Sequence, residues 1–99
     1  SKVVDVVNRL QWLGHDVTIH DPLARAAEAE EEYGLSIDTD ALSPERRYDA
    51  VVLAVPHPHY VDMSGDALGA LVAPGGVFAD IKGVWRGRAI AGDPHRWQL

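Results

Sequence analysis

The sequence predicts an α/β fold built on a parallel sheet, and three observations carry that prediction. The first is the stretch Tyr48 to Tyr60, YDAVVLAVPHPHY. Within it, Ala50 to Val55 is an apolar run without a charge or a turn former. Such a run is too short for a buried helix and suits a strand covered on both faces, as in a parallel sheet flanked by helices. Its valines and leucine fit a pleated surface. The second observation is a change of period along the chain, from helical spacing to alternation and back, which implies β-α-β crossovers. The third is the segment just after the run. Pro56 ends the ladder, and His57, Pro58, His59 and Tyr60 gather at the strand's carboxyl end, the edge where ligands bind in open α/β sheets.

Each element is dictated by its residues. Ser1 to Gly14 reads as a helix, with Val3, Val6, Val7, Leu10 and Leu13 at helical spacings, Ser1 as the cap and Gly14 as the stop. Trp12 lies off that stripe. Asp16 to His20 alternates, with Val17 and Ile19 on one side, and reads as a strand ended by Asp21-Pro22. Leu23 to Tyr33, rich in alanine and glutamate, reads as a helix stopped by Gly34. Its Glu28 to Glu32 run is a solvated face. Leu35 to Ile37 is a short edge strand, and Asp38 to Arg47 a polar connector with one helical turn near Asp40 to Leu42. After the central strand come a short helix, Asp66 to Leu71, with the stripe Leu68, Leu71 and Val72, and a turn at Pro74-Gly75-Gly76. Val77 to Ile81 is the last strand. Val84 to Leu99 is a turn-rich tail carrying Trp85 and Trp97. The series begins with a helix, whereas a doubly wound domain begins with a strand in mid-sheet. The first strand is therefore expected to be lacking, and the strands at Val17 and Val51 are expected either to pair directly or to flank a slot filled by another segment.

The totals narrow the function classes. A chain of 99 residues makes one domain at most, with little stability to spare. With no cysteine, disulfides, thiolate zinc sites and a cysteine nucleophile are excluded within the chain, and the composition fits a reducing cytoplasm. No apolar stretch approaches the roughly 20 residues that cross a bilayer. The net charge of −6 argues against nonspecific nucleic-acid binding, which needs a basic face. From Asp80 onward the chain is locally basic, with Lys82, Arg86, Arg88 and Arg96 against Asp80 and Asp93. A cationic patch on an acidic protein is compatible with a phosphorylated small ligand.

A family resemblance emerges from the motifs in order. Ser1-Lys2-Val3-Val4, LGHDVTIHDP from Leu13 to Pro22, EEYG from Glu31 to Gly34, YDAVVLAVPHPHY, and GGVFADIKGVW from Gly75 to Trp85 resemble the C-terminal domain of the UDP-glucose/GDP-mannose dehydrogenase family. The specific signal is the combination of a strand ending in DP, a strand ending in a histidine-containing loop, and DIKG. DIKG and the closing Trp97-Gln98-Leu99 resemble members acting on UDP-N-acetylhexosamines. The resemblance implies a Rossmann-like three-layer parallel sheet lacking its first strand, with residues 1–99 as part of the UDP-sugar-binding domain. It implies a parent enzyme that oxidises the sugar C6 hydroxyl of a nucleotide sugar to a carboxylate in two NAD-dependent steps, for surface polysaccharide precursors. The N-terminal NAD-binding domain and the central, dimer-forming domain with its catalytic cysteine would be its partners. NAD would belong to that parent, and neither NAD nor dehydrogenase activity is expected of this chain alone. The competing class is a noncatalytic Rossmann-like interaction module that binds no nucleotide.

Candidate site residues come from both readings. Lys82 stands at a strand's carboxyl end, where a phosphate or uracil could sit; the competing reading is a surface lysine paired with Asp80. Gly83 would let backbone approach a ligand, or simply turn the chain. His57 and His59 would face the substrate cleft, or belong to a proline-stiffened loop; no spacing completes a metal site with them. Arg86 could meet a phosphate, or stand in solvent like Arg88 and Arg96. Asp21 could bond a ribose, as acidic residues do at that place in dinucleotide-binding domains, or cap the Leu23 helix with Pro22 at its first position. Trp12, Trp85 and Trp97 are candidates for packing against another segment or chain. No catalytic residue is expected in this chain.

Overall fold

The computed structural model of the chain describes residues 2–23 and 36–99. The chain divides into two units, Ser1–Leu42 and Ser43–Leu99.

In the first unit, helix α1 spans Lys2–Trp12. Its end is a Schellman motif: the amide of Gly14 donates to the Gln11 carbonyl at 2.9 Å and that of His15 to the Leu10 carbonyl at 3.1 Å. Gly14 takes the left-handed φ of 93° that this motif needs. The expected stop is therefore real, but the apolar stripe is buried only at Val7, and Val6 and Leu13 are exposed. Trp12, off the stripe, is exposed as well. The strand expected over Asp16 to His20 shrinks to a single parallel bridge, Ile19 with Ile37, secured by the Asp38 amide on the Ile19 carbonyl at 2.8 Å. Alternation over five residues marks an extended segment, but a ladder needs a partner of equal length. The Asp38 side chain accepts from the Asp40 amide at 2.9 Å and folds the connector into a turn, not a helix, with Ala41 buried beneath it. The helix expected over Leu23 to Tyr33, with Glu28 to Glu32 and Gly34, falls on residues 24–35, outside the described residues.

The second unit holds the sheet. Strand β1 (Tyr48–Leu53), helices α2 (Pro58–Val61) and α3 (Gly65–Gly69), and strands β2 (Val72–Asp80) and β3 (His95–Gln98) follow in chain order. The sheet order is β1-β2-β3, and both pairs are parallel. The α/β class and the Rossmann-like parallel sheet expected from the sequence are thus present, with several corrections. β1 begins and ends two residues before the apolar run does. Its face is not covered on both sides: Asp49, Ala50 and Val52 are exposed and only Leu53 is buried. The short helices α2 and α3 shield less of a strand than full crossover helices would. Pro74-Gly75-Gly76 is not a turn ahead of a strand but a bulge within β2, because Tyr48 aligns with Val72 while Ala50 already aligns with Val77. Finally, the tail is not only turns, since His95 to Gln98 adds a third strand beside Val77 to Asp80.

The core of this unit is aromatic. Phe78 from β2 and Trp85 from the following loop are its largest fully buried side chains, meeting edge to face with centroids 6.5 Å apart. Leu68, Leu71 and Val72 join them, as their spacing predicted. Trp85 is therefore a core residue and not an interface tryptophan, whereas Trp97 is half-exposed. Helix α3 starts at Ser64, whose hydroxyl accepts from the Ala67 amide at 3.0 Å. Gly65 and Gly69, one turn apart, let the helix backbone lie against residues 89–91. A Cβ at either glycine would collide with the carbonyl of Ala89 or Ala91.

Candidate functional site

Because β1 and β2 are parallel and Leu53 aligns with Asp80, the loops after them leave from one edge of the sheet. The Ile81 amide still donates to the Leu53 carbonyl at 3.2 Å. Beyond that bond each of the two loops carries part of the predicted site.

The loop after β2 is organised by Asp80, a buried carboxylate only 3% exposed. One oxygen accepts from the Val84 amide at 3.2 Å, the other from the Trp85 amide at 2.8 Å. A short acidic side chain that bonds backbone a few residues on is a common turn former. Asp80 thus bonds main chain, in place of the ion pair with Lys82 that the competing reading supposed. Lys82 is exposed. Gly83 adopts a φ of 69°, which side-chain-bearing residues rarely hold, and the Arg86 amide returns to its carbonyl at 3.2 Å. The Arg86 guanidinium folds over this glycine, 3.3 Å from where a Cβ would stand. Lys82, Gly83 and Arg86 therefore share one tight turn, whose amides from Gly83 to Arg86 all bond within the loop.

The loop after β1 carries the histidines. The His57 amide donates to the Val55 carbonyl at 2.9 Å, a tight turn about Pro56. Pro58 opens the one-turn helix α2, a helix that the sequence did not announce. His57 and His59 both meet Tyr60 edge to face, with centroids 5.9 and 5.6 Å away. His57 is half-buried and His59 exposed. Among the described residues no three histidine, aspartate or glutamate side chains gather as metal ligands.

Three residues that sequence reasoning missed or misplaced build the surroundings. Arg88 is half-buried, not solvated: it donates to the Val61 carbonyl at 2.7 Å and the Met63 carbonyl at 3.2 Å, and its guanidinium lies 3.5 Å from the centre of the Trp85 ring. Arg96, on β3, donates to the carbonyls of Arg88 and Trp85, the latter at 2.6 Å. The only sequence signal for these roles was the clustering of arginines around a tryptophan. Asp80 was legible as a strand-end aspartate but not as the organiser of its loop. Elsewhere, Asp21 accepts from the Leu23 amide at 2.9 Å, a local turn contact; the helix it was expected to cap lies outside the described residues. The nine glycines of the sequence form no GxGxxG.

With this geometry in view, comparison with known proteins is decisive for the family. The UDP-binding-domain model of the UDP-glucose/GDP-mannose dehydrogenase family matches residues 1–87. The chain belongs to this family. It is 33% identical over 100 aligned residues to protein CapL of Staphylococcus aureus, covering all of this chain and 23% of that protein. It is 32% identical over 83 residues to the UDP-N-acetyl-D-glucosamine 6-dehydrogenase of Pseudomonas aeruginosa, covering 83% of this chain and 19% of that one. The chain thus spans about a fifth of the length of these relatives. No solved structure matches it significantly. Among the described residues no helix is long and apolar enough to cross a membrane.

Proposed function

We propose that this chain holds the UDP moiety of a nucleotide sugar on behalf of an NAD-dependent nucleotide-sugar 6-dehydrogenase. The observation that carries the proposal is the pair of exposed cations, Lys82 and Arg86, flanking Gly83 on an anchored turn at the carboxyl edge of a parallel sheet. A diphosphate needs opposite charge, and two exposed cations on one anchored turn supply it. His57 and His59, on the neighbouring loop, are assigned to the uridine or sugar side. The likeness to a UDP-N-acetyl-D-glucosamine 6-dehydrogenase supports a UDP-N-acetylhexosamine as the ligand.

In the whole enzyme, NAD would accept a hydride in each of two oxidations that take the C6 alcohol to a carboxylate, supplying an acidic sugar for surface polysaccharide. This chain contributes binding and orientation, not the reacting groups. An N-terminal NAD-binding domain and a central domain would be its partners, in a cytoplasmic homo-oligomer; the lack of cysteine fits the compartment. Titration calorimetry with UDP, and with ADP as the control, tests the reading. Saturable binding of UDP in preference to ADP is expected. A folded chain that gives no heat with UDP would favour a noncatalytic interaction module instead.

A further inference from the structure

We infer that Arg88 is a positioning residue that sets the spacing between the two loops of the site, with Arg96 locking it from β3. The inference rests on the proposed nucleotide site for its functional consequence, but not for its geometry. Arg88 belongs to the loop that carries Lys82, Gly83 and Arg86, yet both of its hydrogen-bonded nitrogens reach the other loop, at Val61 and Met63. Those carbonyls lie at and just beyond the end of α2, the helix that holds His59 and Tyr60. A fork that grips two main-chain oxygens fixes both distance and orientation, which a single ammonium on a flexible stem does not.

The other side of the guanidinium is fixed too. It is stacked at 3.5 Å on Trp85, and Trp85 is itself pinned in the core against Phe78. Main-chain bonds complete the lock. The Arg88 amide donates to the Trp85 carbonyl at 3.0 Å, and Arg96 bridges the carbonyls of Trp85 and Arg88. One chain of contacts thus runs from β3 through the Trp85–Arg88 segment to the loop after β1. The acceptors are all main-chain carbonyls, so neither arginine is neutralised by a carboxylate in this chain of contacts. An electrostatic role and a positioning role therefore make different predictions for lysine replacements.

The test compares the wild-type chain with Arg88→Lys, Arg88→Ala and Arg96→Lys. Without ligand, Arg88→Lys is expected to shift the backbone amide resonances of both 57–63 and 82–88, while Ala50 to Leu53 in the ladder stay in place. With UDP, Arg88→Lys should weaken binding about 10-fold, nearly as much as Arg88→Ala, since a lost bidentate grip is worth on the order of one to two hydrogen bonds. Arg96→Lys should show the same pattern at smaller amplitude. Should Arg88→Lys bind UDP as the wild type does while Arg88→Ala does not, charge alone matters and the inference falls. It also falls if the ligand-free shifts stay within 82–88. If the variants do not fold, the wild-type Arg88 side chain decides: resolved, slowly rotating Nη signals are expected, and a single averaged signal overturns the claim. If wild-type chain fails to bind UDP, the functional reading fails, and the ligand-free shifts still judge the positioning.

Discussion

The two loops that leave β1 and β2 at their carboxyl ends are held in different ways. The loop after β2 is anchored by its own residues and from β3: the Asp80 carboxylate on two amides, Trp85 in the core, and the Arg96 guanidinium of β3 on two carbonyls. The loop after β1 is held by its main-chain turns, by edge-to-face contacts of His57 and His59 with Tyr60, and by the Arg88 fork that its neighbour supplies. The difference teaches how a short loop presents cations without a supporting helix. Side chains that bond main chain fix the turn from beneath, so Lys82 and Arg86 are free to face solvent. It also implies a hierarchy. Damage to the β2 loop should spread to the β1 loop, and damage to the β1 loop should stay local.

The largest effect should come from Asp80→Ala. It strips the acceptor from two amides at a buried position, at a cost of about 2–4 kcal/mol, read as a lower midpoint in urea unfolding. Amide shifts in 57–63 as well as 81–88 are expected with it; shifts confined to the second loop would break the hierarchy. Gly69→Ala comes next. The new Cβ meets the Ala91 carbonyl, so the helix must back away, costing roughly 1–3 kcal/mol in the same assay. Lys82→Ala should leave the unfolding midpoint nearly unchanged, within about 0.5 kcal/mol as for most surface substitutions. It should weaken UDP about 10-fold in calorimetry, the share of one charge-assisted bond. His59→Ala should be smallest, with a stability change within about 0.5 kcal/mol and amide shifts limited to the β1 loop. Shifts reaching Lys82 would show that the two loops are coupled in both directions.

Much of this arrangement was legible in the residues. The valine run announced a parallel strand, the glycine after α1 announced its stop, and the spacing of Leu68, Leu71 and Val72 announced a buried face. The carboxyl edge and its five candidate residues came from where the valine run ended and from the DIKG motif. What escaped was set by long-range partners. His95 to Gln98 has no apolar alternation, because all four residues of β3 are exposed and what makes them a strand is main-chain pairing to β2. The apolar run overstated the burial of β1, since hydrophobic residues tolerate exposure and composition does not tell which faces are covered. The bulge at Pro74 to Gly76 read as a turn because proline and glycine mark departures from regular pairing without saying whether the strand resumes. The Arg88 fork joins positions 25 and 27 residues apart, beyond any local pattern.

The most direct measurement is an amide-shift map of the chain during titration with UDP. The account predicts saturable shifts that fall together on Ile81 to Trp85 and on His57 to Tyr60, with one apparent affinity. Shifts clustered instead around Arg47, Pro74 and Pro94, which line an open groove of about 530 Å³ away from those loops, or no shifts in a folded sample, would contradict it.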